Sequence, residues 1–141
     1  VEKLKNKYVN LVNIATKLSR SIHKYSNPPT YADEEDIESY MTTLIKRFEL
    51  TFESLWKYLK YSLKDSYAID TLGSKDVIRK SFEVSLITQE ENKILLDIVE
   101  ARNEIAHNYD YYTAIDLSKT IIKEYYPTIK IIIVRLNKAN N

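Results

Sequence analysis

Cysteine is absent from the 141 residues, which excludes disulfides, a thiolate nucleophile and cysteine-ligated zinc together. Two histidines, His23 and His107, are too few for a histidine-rich metal centre; no other ligand set is visible, and neither a metal nor an organic cofactor is expected. Gly73 is the sole glycine and there are three prolines, which argues against sheets built on tight glycine turns and leaves long stretches free to be helical. No run approaches the roughly 20 apolar residues that span a bilayer. The N-terminal stretch alternates lysines with apolar residues, unlike the apolar region of a signal peptide, so a protein of the reducing cytoplasm without a membrane role is expected. An excess of one charge is missing too: 21 basic residues face 20 acidic ones, so the global footprint of a dedicated nucleic-acid binder is lacking and any such contact is local.

What is present is helical periodicity in a chain of single-domain size. Leu4, Tyr8, Leu11, Ala15, Leu18, Ile22 and Tyr25 alternate steps of four and three, predicting a first helix over 1–26 that stops before Asn27-Pro28-Pro29. A second helix is expected over 33–63, with Glu34, Glu35 and Asp36 in its first turn and a stripe of Tyr40 or Met41, Leu44, Phe48, Phe52, Leu55 and Leu59. Lys64 to Thr71, closed by Gly73, reads as a loop. Ser74 is a candidate cap for a short helix over 74–86 that buries Val77, Ile78, Phe82 and Leu86. Thr88 with Glu91 forms a capping-box pattern opening a helix over 88–109, with Ile94, Leu95, Ile98, Val99, Ile105 and Ala106 as its apolar positions. A last helix over 113–138 starts at Thr113, with Asp116 three residues on, and carries Leu117, Ile121, Tyr125, Ile129, Ile132 and Leu136. Pro127 should kink it, and the β-branched run from Ile129 to Val134 reads as a strand in isolation, but no second strand is there to pair with it. The expectation is one all-α domain over 1–141, without repeats or low-complexity tracts.

Glycine-rich phosphate loops, histidine–glutamate zinc patterns and serine elbows are all missing. What stands out is Arg102, four intervening residues, His107, one intervening residue, and Tyr109. On an ideal helix Arg102 and Tyr109 share the face of Ile98, Ile105 and Ala106, which puts an arginine in a core-facing stripe. Asn103, His107 and Asp110 line a neighbouring edge. Arg102 and His107 are about 140° apart, so they meet on one substrate only if the helix distorts or two chains contribute; a twofold dimer would surround one phosphate with both sets. Metal-independent RNA cleavage needs a group that moves protons near neutral pH and a fixed cation for the phosphorane, and His107 and Arg102 are the residue types for those roles. Asn103 can orient the imidazole or bond a phosphate oxygen, and Tyr109 can stack on a base or donate a hydrogen bond. The plain alternative pairs Arg102 with Glu100 or Asp110 and leaves His107 as a helix terminator.

The runs Arg47 to Lys60, Ser74 to Arg79 and Glu100 to Asp110 together resemble HEPN proteins, also described as nucleotidyltransferase substrate-binding subunits, in order over roughly residues 40 to 135. The resemblance implies an antiparallel four- to five-helix bundle that forms a homodimer with its motifs face to face. It further implies an endoribonuclease toxin of a toxin–antitoxin pair, with Arg102, Asn103 and His107 catalytic on an RNA substrate. The implied partner is a minimal nucleotidyltransferase antitoxin that adds AMP to Tyr109. The competing reading is a non-catalytic subunit whose groove presents a substrate to a nucleotidyltransferase.

Several other residues keep two readings. Glu49 and Glu53 either pair with Arg47 or Lys57 as solvated carboxylates or stand near the motif and position Arg102 or His107. The 12 tyrosines suit half-buried helix positions, or a platform for stacking bases. Lys75, Arg79 and Lys80 are a solvated helix face or an RNA-attracting turn. His23 is expected on the surface or in helix packing, and the first thirty residues match the family less clearly.

Overall fold

The computed structural model describes residues 2–107 and 109–139 as a bundle of helices with no strand among them. Helix α1 spans Glu2–Ser26, α2 Glu34–Tyr67, α3 Ser74–Glu83, α4 Gln89–His107, α5 Tyr111–Thr120 and α6 Tyr126–Ala139, the last two joined through a π-helical turn at Ile121–Tyr125. Helices α1 and α2 run antiparallel: Lys24 meets the Tyr40 ring, Tyr8 packs edge-on against Tyr58, and Lys3 and Lys7 lie over Tyr61. The Tyr8 hydroxyl then donates to the Ile133 carbonyl at 2.8 Å, tying α1 to α6.

The periodic stripes meet in one core. Leu11, Ala15 and Leu18 of α1 and Leu44, Phe48, Phe52, Leu55 and Leu59 of α2 are buried against Leu95 and Ile98 of α4 and Ile121, Ile129 and Ile132 of the C-terminal helices. Phe48 stacks on Tyr125 with centroids 5.8 Å apart, an aromatic pair worth about 1 kcal/mol beyond its buried area. Two expected core positions lie outside it: Phe82 is 39% exposed and Ala106 is also exposed, because α3 ends at Glu83 and Ala106 faces outward at the end of α4.

Helix ends follow local chemistry. Asp33 and Asp36 form a reciprocal capping box at α2, and Thr88 and Glu91 do the same at α4. Helix α2 runs to Tyr67, through half of the expected 64–71 loop, and stops where Ala68 turns left-handed (φ 55°) so that the Ile69 amide reaches back to Leu63 at 3.0 Å. Gly73, in extended geometry, takes the N-cap position of α3 in place of Ser74, and Asp76 accepts the Leu72 amide at 2.9 Å. The last helical stretch begins two residues before Thr113, because Asp110 caps it by accepting from the Thr113 amide at 2.8 Å and hydroxyl at 3.1 Å. Pro127 ends no helix. One turn before it the backbone widens to π geometry, with the Tyr126 amide donating to Ile121. A wider turn gives room for a proline ring, which in a regular α-helix clashes with the carbonyl four residues back.

Glu91, a buried acid, takes two bonds from Arg135, at 2.7 and 2.6 Å, which clamp α4 to α6. Burial opposes its charge, but bonds from Arg135 and Thr88 outweigh it and hold the carboxyl below the usual range. A depressed folded-state pKa stabilises above the unfolded value, about 4.3, and that stabilisation is lost as pH falls through the folded value. Arg135→Met should therefore cost about 2–3 kcal/mol in urea unfolding at pH 7, below the range for fully buried pairs because Arg135 is partly exposed. The gap between the variant and the parent should narrow below about pH 4.

Candidate functional site

Helix α4 carries Arg102 and Asn103 near its C-terminal end and His107 as its last residue; Tyr109 and Asp110 lie on the link to α5. Asn108 is outside the described residues. Ideal helix geometry put Arg102 on the core side, and it does lie between helices: its guanidinium sits 5.3 Å from the centroid of the Phe52 ring, and its side chain is 29% exposed. A cation over an aromatic face is held electrostatically. The guanidinium also reaches Glu53 Oε2 at 3.4 Å.

Glu53 is the hub of this contact. The same Oε2 accepts from the Trp56 indole at 3.0 Å, and Oε1 lies 3.1 Å from the Lys57 ammonium. Partial burial raises the carboxyl pKa, but the bonds from Trp56 and Lys57 and the charges of Lys57 and Arg102 lower it further, leaving it below the ordinary value. It is therefore an anion across the neutral range. A single long contact at 3.4 Å between partly exposed partners stabilises by no more than about 1 kcal/mol. It orients the guanidinium without consuming its other donors.

Arg102 lines a hollow of about 320 Å³ together with Glu49, Asn103 and Tyr109, with Val99 and Ile105 also in its wall. Tyr109 is 54% exposed. His107 is exposed and does not line this hollow, in keeping with the roughly 140° that separates it from Arg102 on the helix. Asp110 is engaged as the cap of α5, and bonds from Thr113 hold its carboxyl below the usual value.

Neither expected alternative partner meets Arg102. Glu100 pairs with Lys75 at 2.6 Å, and Asp110 caps. Lys80 meets Glu83 at 3.6 Å, so two of the three cations in the basic turn of α3 already face acids. Of the two carboxylates left open by sequence, Glu53 meets both Lys57 and Arg102, whereas Glu49 lines the hollow. The contributions of Trp56 and Phe52 were not foreseen. The spacing of Glu53 to Trp56 and Lys57, three and four residues along one helix, was a readable signal for the first; stacking of Arg102 on Phe52 depends on the rotation of two helices. Among the described residues no three His, Asp or Glu side chains are grouped to hold a metal ion, and no helix is long and apolar enough to cross a membrane.

Residues 6–138 match the family described as nucleotidyltransferase substrate binding protein like. The chain belongs to that family. Its fold is shared with solved structures. A mutant form of the toxin–antitoxin pair MntA-HpeT aligns with TM-score 0.77 at 15% identity, covering 94% of this chain and 98% of the other. A tri-AMPylated Shewanella oneidensis HEPN toxin in complex with MNT antitoxin aligns at 0.74 and 14%, over 96% of each chain. A protein of Thermus thermophilus aligns at 0.66 and 23%, over 94% and 98%. No curated protein matches the chain. The chain shares the helical-bundle fold of these structures, with Arg102, Asn103 and His107 in the last turns of α4 and Tyr109 on the link that follows.

Proposed function

We propose that this protein is a metal-independent endoribonuclease, the toxin of a toxin–antitoxin pair, acting at a site shared between two copies of the chain. The observation that carries the reading is the Arg102 guanidinium, stacked on Phe52 and oriented by an ionised Glu53, opening onto a hollow with Asn103 and Tyr109. A guanidinium preset for an anion is the group that phosphoryl transfer needs. Similarity of fold to toxins seen in toxin–antitoxin structures supports the same assignment.

In this mechanism His107 accepts the proton of a ribose 2′-hydroxyl as that oxygen attacks phosphorus. Arg102 bonds the charged equatorial oxygens, and the leaving 5′-oxygen takes a proton from the imidazolium so formed or from water, giving a 2′,3′-cyclic phosphate and a free 5′-hydroxyl. Asn103 holds a phosphate oxygen or the imidazole. Because His107 lies outside the hollow of its own chain, the imidazole at each scissile phosphate comes from the facing copy, related by a twofold axis. The partner proposed is a minimal nucleotidyltransferase antitoxin that transfers AMP from ATP to the Tyr109 hydroxyl, with release of pyrophosphate and the hydroxyl proton, placing a phosphate at the mouth of the hollow and blocking Arg102. A non-catalytic subunit that presents nucleotides to a nucleotidyltransferase is favoured by one observation, the description of the family, and uses the same hollow as a nucleotide site.

Mixing two inactive variants tests the shared site. Arg102→Ala and His107→Ala proteins, unfolded together and refolded, should regain roughly a quarter of the parent cleavage rate, since about half of randomly paired dimers are mixed and each holds one complete site. If each chain supplied its own arginine and histidine, the mixture would stay inactive.

A further inference from the structure

The charge balance of the whole chain conceals a segregation. Helix α1 has six lysines and arginines against a single acid, Glu2, in a protein whose net charge is only +1. Part of that charge borders a hollow of about 290 Å³ between α1 and α2, lined by Lys7 and Asn10 from one helix and Ser54 and Lys57 from the other. Leu50 and Ile14 supply an apolar side to it. The Lys7 ammonium lies 5.1 Å from the centroid of the Tyr61 ring, a cation–π contact that positions it on a residue that stays exposed.

Glu53 connects this hollow to the site at Arg102. It lines the α1–α2 hollow, and its two carboxylate oxygens meet Lys57 at 3.1 Å and Arg102 at 3.4 Å. The two cations therefore both contact one carboxylate, Glu53, which brings the edge of this hollow within one side chain of the Arg102 guanidinium. Two ammonium groups outweigh the one acid in the lining, and the acid is already shared with Arg102. A second anion next to the first, with amide and hydroxyl donors and an apolar wall, is the arrangement of a phosphodiester chain with its bases to one side.

Resting on the ribonuclease reading, we infer that the hollow of Lys7, Asn10, Ser54 and Lys57 is a subsite for the backbone of a single RNA strand, adjoining the phosphate held at Arg102. Helix α1 then supplies the local electrostatic footprint that balanced composition hides, and substrates of several nucleotides are bound in preference to a dinucleotide.

The test uses the full chain carrying His107→Ala, which binds without cutting, and a fluorescent single-stranded RNA of about 12 nucleotides, within the site sizes of single-strand binders, titrated at several salt concentrations. Adding Lys7→Glu should weaken binding about tenfold and flatten the log–log salt dependence by about 0.7, the value of one phosphate contact on a single strand. Lys7→Arg should bind like its parent, and a dinucleotide should bind both variants equally. Unchanged affinity and slope with Lys7→Glu would overturn the subsite and leave the ribonuclease reading standing. Equal losses with Lys7→Arg would also overturn it, tracing the effect to packing on Tyr61. No RNA binding by the His107→Ala parent would remove the subsite together with the ribonuclease reading.

Discussion

Replacement of His107 by alanine is expected to lower RNA cleavage by roughly 10²–10⁴-fold, the range for removal of a general acid–base group, and to leave thermal unfolding unchanged. His107 is the exposed last residue of α4 and lines none of the core, and surface substitutions of this kind stay within about 0.5 kcal/mol. Single-turnover cleavage of a labelled RNA beside a melting curve separates the two effects. A fall in activity matched by a fall in stability would assign His107 a structural role instead.

Arg102→Ala should be similarly severe for activity, losing roughly 10²–10³-fold, as when an oriented donor to a developing oxyanion is deleted. Its effect on stability should be small, about 1 kcal/mol or less, because Glu53 keeps its bonds to Trp56 and Lys57 after the guanidinium is gone. Arg102→Lys is expected to recover little. An ammonium lacks the planar fork that stacks on Phe52 while it bonds Glu53 and a phosphate together. Near-parent cleavage by the lysine variant would show that only a positive charge is required at this position.

The bundle was largely legible because helical periodicity records burial directly. Leu11 and Leu18, Phe48 and Phe52, and Ile129 and Ile132 were placed on inner faces by spacing alone and are buried. The β-branched run before Val134 and the proline at 127 both spoke against a helix there, yet tertiary burial of Ile129 and Ile132 prevails over local propensity and a π turn makes room for the proline. Caps were legible where two side chains bond reciprocally, as at Thr88 and Glu91. The cap at Asp110 was missed, with Thr113 read as the helix start although an aspartate stands three residues before it.

Less of the site could be read. The motif spacing singled out Arg102 and His107, but whether Arg102 meets Glu53, Glu100 or Asp110 depends on how α2 and α4 are rotated against each other, which no local pattern encodes. The partner found lies 49 positions away in sequence. Charge was misleading for a different reason: a sum over the whole chain cancels the basic α1 against acids on other helices, so the first helix carried no visible functional signal. The Glu91–Arg135 clamp has no local signature, because its residues stand 44 positions apart and Glu91 also satisfies a capping box.

The central claim is tested most directly by incubating a labelled RNA pool with the purified protein in excess chelator, after mass measurement shows that Tyr109 carries no AMP. The unmodified protein should cut the RNA, leaving 2′,3′-cyclic phosphate ends, and the His107→Ala protein should leave the pool intact. Intact RNA in the presence of unmodified parent protein would contradict the ribonuclease assignment and favour a nucleotide-presenting subunit.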